Sequence, residues 1–329
     1  MDRPVVAVVL AGGTGTRLYP ASRAAHPKQF RAFGGDRTLF ERAIDRVAVA
    51  DETVVLTGEA HAERARELAP DADVLTEPGP KDTGPALAYA ARRLRERYPD
   101  AVLLCVPSDH HVDGDFAAAA RRACRAAADG EALVTMGVEP TRPATEYGYV
   151  RPGNVADGVA PVERFEEKPS RERARRFVDE GCLWNAGVFA WTPDALLSAC
   201  EGTPLEPLAT ADDAEEGFAA VDPVSVDYAV LERAERVRVV PVSFGWDDLG
   251  SWDAMERVLD GDAAGNAVLG EALTVDAADN VVATDGHVSL VGVEDLVVAA
   301  YDDRVLVVPK DDAQRVRDVV SELRDDGLF

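Results

Sequence analysis

Lysine is almost absent from this chain: only Lys28, Lys81, Lys168 and Lys310 occur among 329 residues. Positive charge as a whole is scarce, since 35 Lys and Arg face 60 Asp and Glu, for a formal net charge of −25. Such a chain repels phosphate backbones and anionic lipid surfaces, which argues against nucleic acid or membrane as its main partner. No apolar run approaches the roughly 20 residues that span a bilayer. Met1–Leu10 leads into a glycine loop without a small-residue cleavage site, so it is not read as a signal peptide. Cysteine is sparse too. Cys105, Cys124, Cys182 and Cys200 lie far apart and form no metal-type pair, which predicts reduced thiols and a cytoplasmic compartment. The five His form no motif, and no Ser-His-Asp or Cys-His set is visible.

What is present is a globular composition. Hydrophobic residues make up 47% and charge is spread rather than blocky, and the length suffices for two domains. The acid surplus removes lysine selectively while keeping arginine, which we read as adaptation to high salt. At 1 M salt the Debye length falls to about 3 Å and self-repulsion becomes tolerable. In a chain that avoids lysine, each remaining lysine is a candidate for a specific task.

Strands and helices alternate through the first half. Val5–Leu10, Thr53–Leu56, Asp73–Leu75, Ala101–Pro107 and Ala132–Val138 read as strands. Helical periodicity separates them at Thr38–Ala50, Glu59–Leu68, Pro85–Tyr98 and Phe116–Ala128. This βαβα order predicts an α/β sheet with ligands at the carboxyl ends of its strands. Tyr147–Trp191 is more β in character, with a helix near Arg171–Glu180. Helices are expected at Pro193–Cys200, Val226–Ala234 and from Trp252 to about Leu259, with a strand at Val237–Val242. After Gly261 and Gly265 the chain turns Val-rich with Asp/Gly turns, which predicts a small β domain closed by a helix at Asp311–Asp325.

The first strand opens into Leu10-Ala11-Gly12-Gly13-Thr14-Gly15-Thr16-Arg17-Leu18. Glycines there let successive N–H groups converge on an anion, and Arg17 adds a guanidinium fork for phosphate oxygens. The loop is not a Walker A motif, and it fails the dinucleotide fingerprint because Leu18 holds the third glycine position. That disfavours a nicotinamide oxidoreductase. Lys28 follows in His26-Pro27-Lys28-Gln29-Phe30, where Pro27 stiffens the approach and Phe30 can anchor it. The bland reading is a surface lysine; in so lysine-poor a chain we favour an ammonium aimed at the phosphate loop.

The stretch GGTGTRLYPASRAAHPKQF resembles the signature of sugar-nucleotide pyrophosphorylases and, within them, that of mannose-1-phosphate guanylyltransferases. The resemblance extends along nearly the whole chain. It implies a Rossmann-like nucleotidyltransferase (GT-A-like) domain at 1–262, with a mixed, mostly parallel sheet, and a small β-helix-like domain at 263–329. By the same resemblance Arg17 and Lys28 are the catalytic cations. Leu10, Ala11, Gly12, Gly13, Gly15 and Thr16 bind nucleotide, together with Glu77, Lys81, Thr83 and Pro85 of a base-recognition segment. That segment departs from the family's Arg-Asn-Thr-Ala-Pro-Ala, reading Lys81-Asp82-Thr83-Gly84-Pro85-Ala86, and Tyr19 replaces a usual Trp.

Asp109 ends a buried strand, a position that suits Mg²⁺ beside a phosphate loop. The resemblance pairs it with Asp248 of Gly245-Trp246-Asp247-Asp248-Leu249-Gly250 as the Mg²⁺ ligands; the residues alone also leave Asp247 open. Sugar recognition is implied for Gly148, for Glu167 and Lys168 of Phe-Glu-Glu-Lys-Pro, and for Asn185 of Asn-Ala-Gly as a reader of hydroxyls with both ends of its amide. Asp227 is given a supporting part.

The implied reaction joins GTP and mannose 1-phosphate into GDP-mannose and pyrophosphate. The sugar phosphate is already largely ionised, so no general base is needed, and the work lies in offsetting anionic repulsion. The alternatives are a glucose 1-phosphate enzyme using dTTP or UTP, and a catalytically silent regulatory homologue. The Pro-Lys-Gln-Phe ending favours the first reading. The tail is expected to pack or to mediate a homodimer rather than to take part in chemistry, and no isomerase activity is expected, since no cupin-type segment follows.

Overall fold

The computed structural model describes residues 3–13, 15–327 and 329; Met1, Asp2, Thr14 and Leu328 lie outside the described residues. In chain order the strands are β1 (Val5–Leu10), β2 (Glu52–Gly58), β3 (Asp73–Glu77), β4 (Val102–Pro107) and the short β5 (His111–Asp113). Then come β6 (Leu133–Val138), β7 (Tyr149–Pro152), β8 (Ala160–Glu166), β9 (Leu183–Trp191), β10 (Val237–Val242) and the short β11 (Gly245–Asp247). The chain ends with β12 (Ala267–Val275), β13 (Val281–Val291), β14 (Leu296–Tyr301) and β15 (Arg304–Pro309). They fall into two compact units that do not follow chain order. The first comprises Met1–Gly12, Ile44–Pro107 and Asp113–Gly245; the second comprises Gly13–Ala43, Ser108–Val112 and Trp246–Phe329. The sequence division at 262/263 separates segments along the chain, whereas the units gather segments in space.

The first unit holds a nine-stranded sheet in the order β3-β2-β1-β4-β9-β6-β10-β8-β7. Its left half is parallel, with Val8 of β1 flanked by Val54 of β2 and Cys105 of β4. The continuous Val/Leu/Ala runs that form these strands suit a sheet covered on both faces. β9 then enters antiparallel between β4 and β6, and β8 also runs against the rest. The sheet is therefore mixed, with most strands pointing one way. The core includes Val6, Leu103, Trp191 and Val239, each at most 1% exposed, closed by the helix Thr83–Arg97.

The second unit contains the tail. β12, β13 and β14 stack in parallel with short connections, and β15 closes antiparallel on β14. Parallel neighbours normally need a long crossover; here the chain coils instead, turning at Asp276, Asp279 and Asp295, all with positive φ. Buried Asn266 and Asn280 stack in the turns, with Asn280 Nδ2 donating to Asn266 Oδ1 at 2.9 Å. The unit's core joins Leu18 and Tyr19 from the first signature segment, and Phe33 just after it, to Trp252, Tyr301, Val316 and Val320. Trp252 Nε1 donates to the Tyr19 carbonyl at 2.8 Å, so Tyr19 serves this core.

Two expectations change in detail. The helix expected at Val226–Ala234 is a π-helical turn, Asp227–Leu231, in which Glu232 N bonds Asp227 O five residues back. Such turns recur where a side chain must be held out of helical register. The strand β9 falls within the stretch read as β up to Trp191, while the helices Glu206–Thr210 and Ala214–Ala219 had no sequence counterpart. All four cysteines are free and buried. Among the described residues no helix is long and apolar enough to cross a membrane.

Candidate active site

In the second unit, Gly15 adopts a left-handed conformation (φ 60°) and starts the short 3-10 turn Thr16–Leu18. A Cβ on Gly15 would lie 2.6 Å from Lys28 Cβ, so glycine is needed for the loop to cross the lysine stem. Lys28 is 3% exposed. Its ammonium donates to Asp109 Oδ2 at 3.0 Å and to the Asp248 backbone carbonyl. One lysine thus ties together the segments that carry the two carboxylates. Burial would raise the Asp109 carboxyl; the charges of Lys28 and His110 outweigh it and hold Asp109 below the usual carboxylate range.

Asp247 and Asp248 diverge. Asp247 is buried, with Oδ1 accepting from Leu249 N at 2.8 Å and Oδ2 from Arg257 Nε at 2.6 Å. Both its oxygens are engaged by the protein itself. Asp248 is partly exposed, and its Oδ1 accepts from Gly250 N at 3.0 Å. Arg17 donates from Nη1 to Gln314 Oε1 at 3.1 Å, and among the described residues no carboxylate forms an ion pair with it. Thr16 and Gly13 complete this loop. Among the described residues no group of three or more His, Cys, Asp or Glu is placed to hold a metal ion.

In the first unit, Leu10 ends β1, Ala11 N donates to the Leu56 carbonyl at 2.8 Å, and Gly12 abuts Glu77. A Cβ on Gly12 would stand 2.6 Å from Glu77 Oε1. Glu77 ends β3 half-buried, and no hydrogen bond or ion pair reaches its carboxylate among the described residues. Burial pushes this carboxyl up to about 7.

The rest of the base segment corrects the sequence reading. Lys81 spends its ammonium on three carbonyls, those of Phe218 (2.7 Å), Ala219 (3.1 Å) and Val221 (2.7 Å). An ammonium has three donors, so Lys81 anchors the segment instead of reading a base. The Thr83 hydroxyl accepts from Val226 N at 3.0 Å, and Pro85 is buried. Gly84 explains one departure from the family pattern: a Cβ there would sit 2.5 Å from the Val224 carbonyl oxygen. Of this segment, Glu77 is the residue left available to a ligand.

The residues expected to read the sugar also lie in the first unit. A Cβ on Gly148 would stand 2.4 Å from Glu167 Oε2, so glycine makes room for that carboxylate. Lys168 Nζ pairs with Glu167 Oε1 at 2.7 Å. Asn185 Oδ1 accepts from Thr135 Oγ1 (2.7 Å) and Gly187 N (3.2 Å), while Nδ2 donates to Asp227 Oδ1 at 2.8 Å. Both ends of the amide are therefore engaged by protein, and Asn185 orients Asp227 rather than acting as the two-ended hydroxyl reader expected. Burial first, and the Glu167 charge second, push the Asp227 carboxyl up to about 7. Sequence reasoning passed over Thr135, Gln314 and Glu232, whose Oε1 accepts from Glu167 N at 2.9 Å. None lies in a motif, and each acts through a partner distant in sequence.

Residues 6–264 match the family described as Nucleotidyl transferase, and 270–323 match the MannoseP isomerase/GMP-like beta-helix domain. The xanthan biosynthesis protein XanB of Xanthomonas campestris pv. campestris is 36% identical, over 98% of this chain and 74% of its own. The mannose-1-phosphate guanylyltransferase of Escherichia coli is 36% identical, over 97% of this chain and 73% of its own. A crystal structure titled mannose-1-phosphate geranyltransferase, from Thermus thermophilus, is 38% identical with a TM-score of 0.88, covering 97% of this chain and 99% of that one.

Proposed function

The chain belongs to the nucleotidyl transferase family, and from that premise we propose that it makes GDP-mannose and pyrophosphate from GTP and mannose 1-phosphate. The observation that carries the reading is the meeting of Arg17, Lys28, Asp109 and Asp248 in one unit, with Lys28 bonded to the segments of both aspartates. A sugar-phosphate oxygen attacks the α-phosphorus of GTP, a new O–P bond forms, and the bond to the β-phosphate oxygen breaks to release pyrophosphate. The nucleophile is largely ionised near neutrality, since the second phosphate pKa is about 6. The protein's task is to orient two anions and offset their charge. Arg17 and Lys28 bind the triphosphate, while backbone N–H groups of Gly13, Gly15 and Thr16 cradle it.

Asp109 and Asp248 fit Mg²⁺: a hard cation takes one or two carboxylates and completes its shell with substrate phosphates and water. The lysine ammonium already bridging these segments marks the place as one built for a cation. When bound, the ion supplies positive charge to the reacting phosphates.

Base choice is assigned to Glu77. An ionised carboxylate is an acceptor with two oxygens, and guanine offers adjacent N1–H and N2–H₂ donors. Uracil and thymine present one donor beside carbonyls and match it poorly. Glu167 and Asp227 accept from sugar hydroxyls, with Lys168 offsetting the sugar phosphate. The acid surplus and the free cysteines support a cytoplasmic, high-salt setting, and the homodimer implied by the resemblance is checked by sedimentation in molar KCl.

The deciding experiment is a matrix of nucleoside triphosphates against sugar 1-phosphates with Mg²⁺, following pyrophosphate. Fastest turnover with dTTP and glucose 1-phosphate overturns the assignment. Asp248→Asn is expected to remove most Mg²⁺-dependent turnover; near-normal activity would take Asp248 out of the metal site.

A further inference from the structure

We propose that Gln314, in the C-terminal segment, is a positioning residue that aims Arg17 at the triphosphate. The inference rests on the part given to Arg17 above. Arg17 Nη1 donates to Gln314 Oε1 at 3.1 Å, and Gln314 Nε2 donates to Ser251 Oγ at 2.7 Å. Ser251 Oγ in turn bonds Asp253 Oδ1 at 2.5 Å. Ser251 stands three residues after Asp248 on the same loop. One amide therefore links the triphosphate arginine to the loop of the metal carboxylate. Gly250 shows how close these groups run: a Cβ there would stand 2.6 Å from Asp248 Oδ2 and 3.1 Å from Arg17 Nη2.

The turn that carries Gln314 is itself held. Lys310, the one lysine without a motif, binds Glu256 Oε1 at 2.5 Å and Asp295 Oδ1 at 3.4 Å. Val316 and Val320, just beyond, are buried in the same core as Leu18, the residue after Arg17. The tail is thus more than packing, because it supplies a side chain to the phosphate loop.

The chemistry of the partner is the second argument. In a chain with 60 acidic residues, the group facing Arg17 is a neutral amide. A carboxylate there would pair with the guanidinium and compete with the incoming triphosphate. An amide fixes the direction of the fork and leaves its charge for the ligand. Gln314 is solvent-exposed, so its bonds set geometry more than they add stability.

The test measures KM for GTP and for mannose 1-phosphate, kcat and Tm in Arg17→Ala, Gln314→Ala, Gln314→Glu and the Arg17→Ala/Gln314→Ala double variant. Gln314→Ala is expected to raise KM for GTP about fivefold, the scale of one ordinary net hydrogen bond, as suits a solvent-exposed amide, with KM for mannose 1-phosphate and Tm unchanged. Gln314→Glu raises it further. On the Arg17→Ala background, removing Gln314 adds nothing, as coupling through one contact requires. An equal fold-loss with and without Arg17 overturns the inference, as does an unchanged KM for GTP in Gln314→Ala when Arg17→Ala shows its loss. If Arg17→Ala itself leaves KM for GTP unchanged, the underlying reading of Arg17 falls with it.

Discussion

Replacing Lys28 by Met keeps most of the side chain's volume and removes its charge, which isolates the electrostatic part of its contribution. In the free protein Lys28 is 3% exposed and meets Asp109 at 3.0 Å. At an effective dielectric of about 20, unit charges that far apart attract by about 5 kcal/mol. Burying the ammonium takes back part of this, and Asp109, a third exposed, is partly screened by water. The net loss expected is about 2–3 kcal/mol, or about 5 °C in Tm. The variant also leaves two aspartates without their cation, so Mg²⁺ alone should stabilise Lys28→Met more than the wild type, by the linkage between binding and folding. The assay is thermal unfolding with 0 and 10 mM Mg²⁺, without nucleotide, alongside KM for GTP. A variant that melts with the wild type, or equal Mg²⁺ effects on both, refutes the idea that the ammonium holds the cation position in the free protein.

Glu77→Gln should raise KM for GTP about 10- to 100-fold and narrow the preference over UTP; unchanged selectivity would remove Glu77 from base reading. In the wild type, the Glu77 carboxyl near 7 means that KM for GTP rises as pH falls below about 7, and Glu77→Gln abolishes that inflection in a pH profile. Asp227 has a folded value of about 7, above its usual value near 3.9, so its contribution to stability is full below about pH 4 and is lost as pH rises through 7. Asp227→Asn should flatten that slope in melts from pH 5 to 8.5. Lys81→Met leaves three carbonyls without their donor and should cost about 2–3 kcal/mol of stability with KM for GTP little changed; the opposite pattern would return Lys81 to the ligand.

Much of this was legible in the residues, for physical reasons. The runs Val5–Leu10 and Val102–Pro107 are apolar without alternation, which only a doubly covered strand explains, and both are strands. The glycine loop and Asp109 follow directly from such strands. The β character of the stretch ending at Trp191 was legible, but the place of β9 in the sheet was not, because it is set by antiparallel pairing with Leu103–Cys105 and Val134–Val138, remote in sequence. Lys81 was misread for the same kind of reason. Its scarcity pointed to a ligand, while the carbonyls that engage it lie about 140 residues on, and nothing local announces them. Gln314 carries no signal at all: a single glutamine in an acidic turn looks like surface.

The second unit takes Gly13–Ala43 from near the start of the chain and Trp246–Phe329 from its far end. During synthesis, the phosphate loop therefore leaves the ribosome long before Trp252, whose indole caps Tyr19, exists. At roughly 5–20 residues per second, that interval is on the order of 10–50 s. Until it ends, the nascent loop lacks the indole that caps Tyr19, and Gln314, which bonds Arg17, comes 62 residues later still. The core that seats Leu18 and Tyr19 therefore closes only when the far end of the chain, out to Val316 and Val320, has been made.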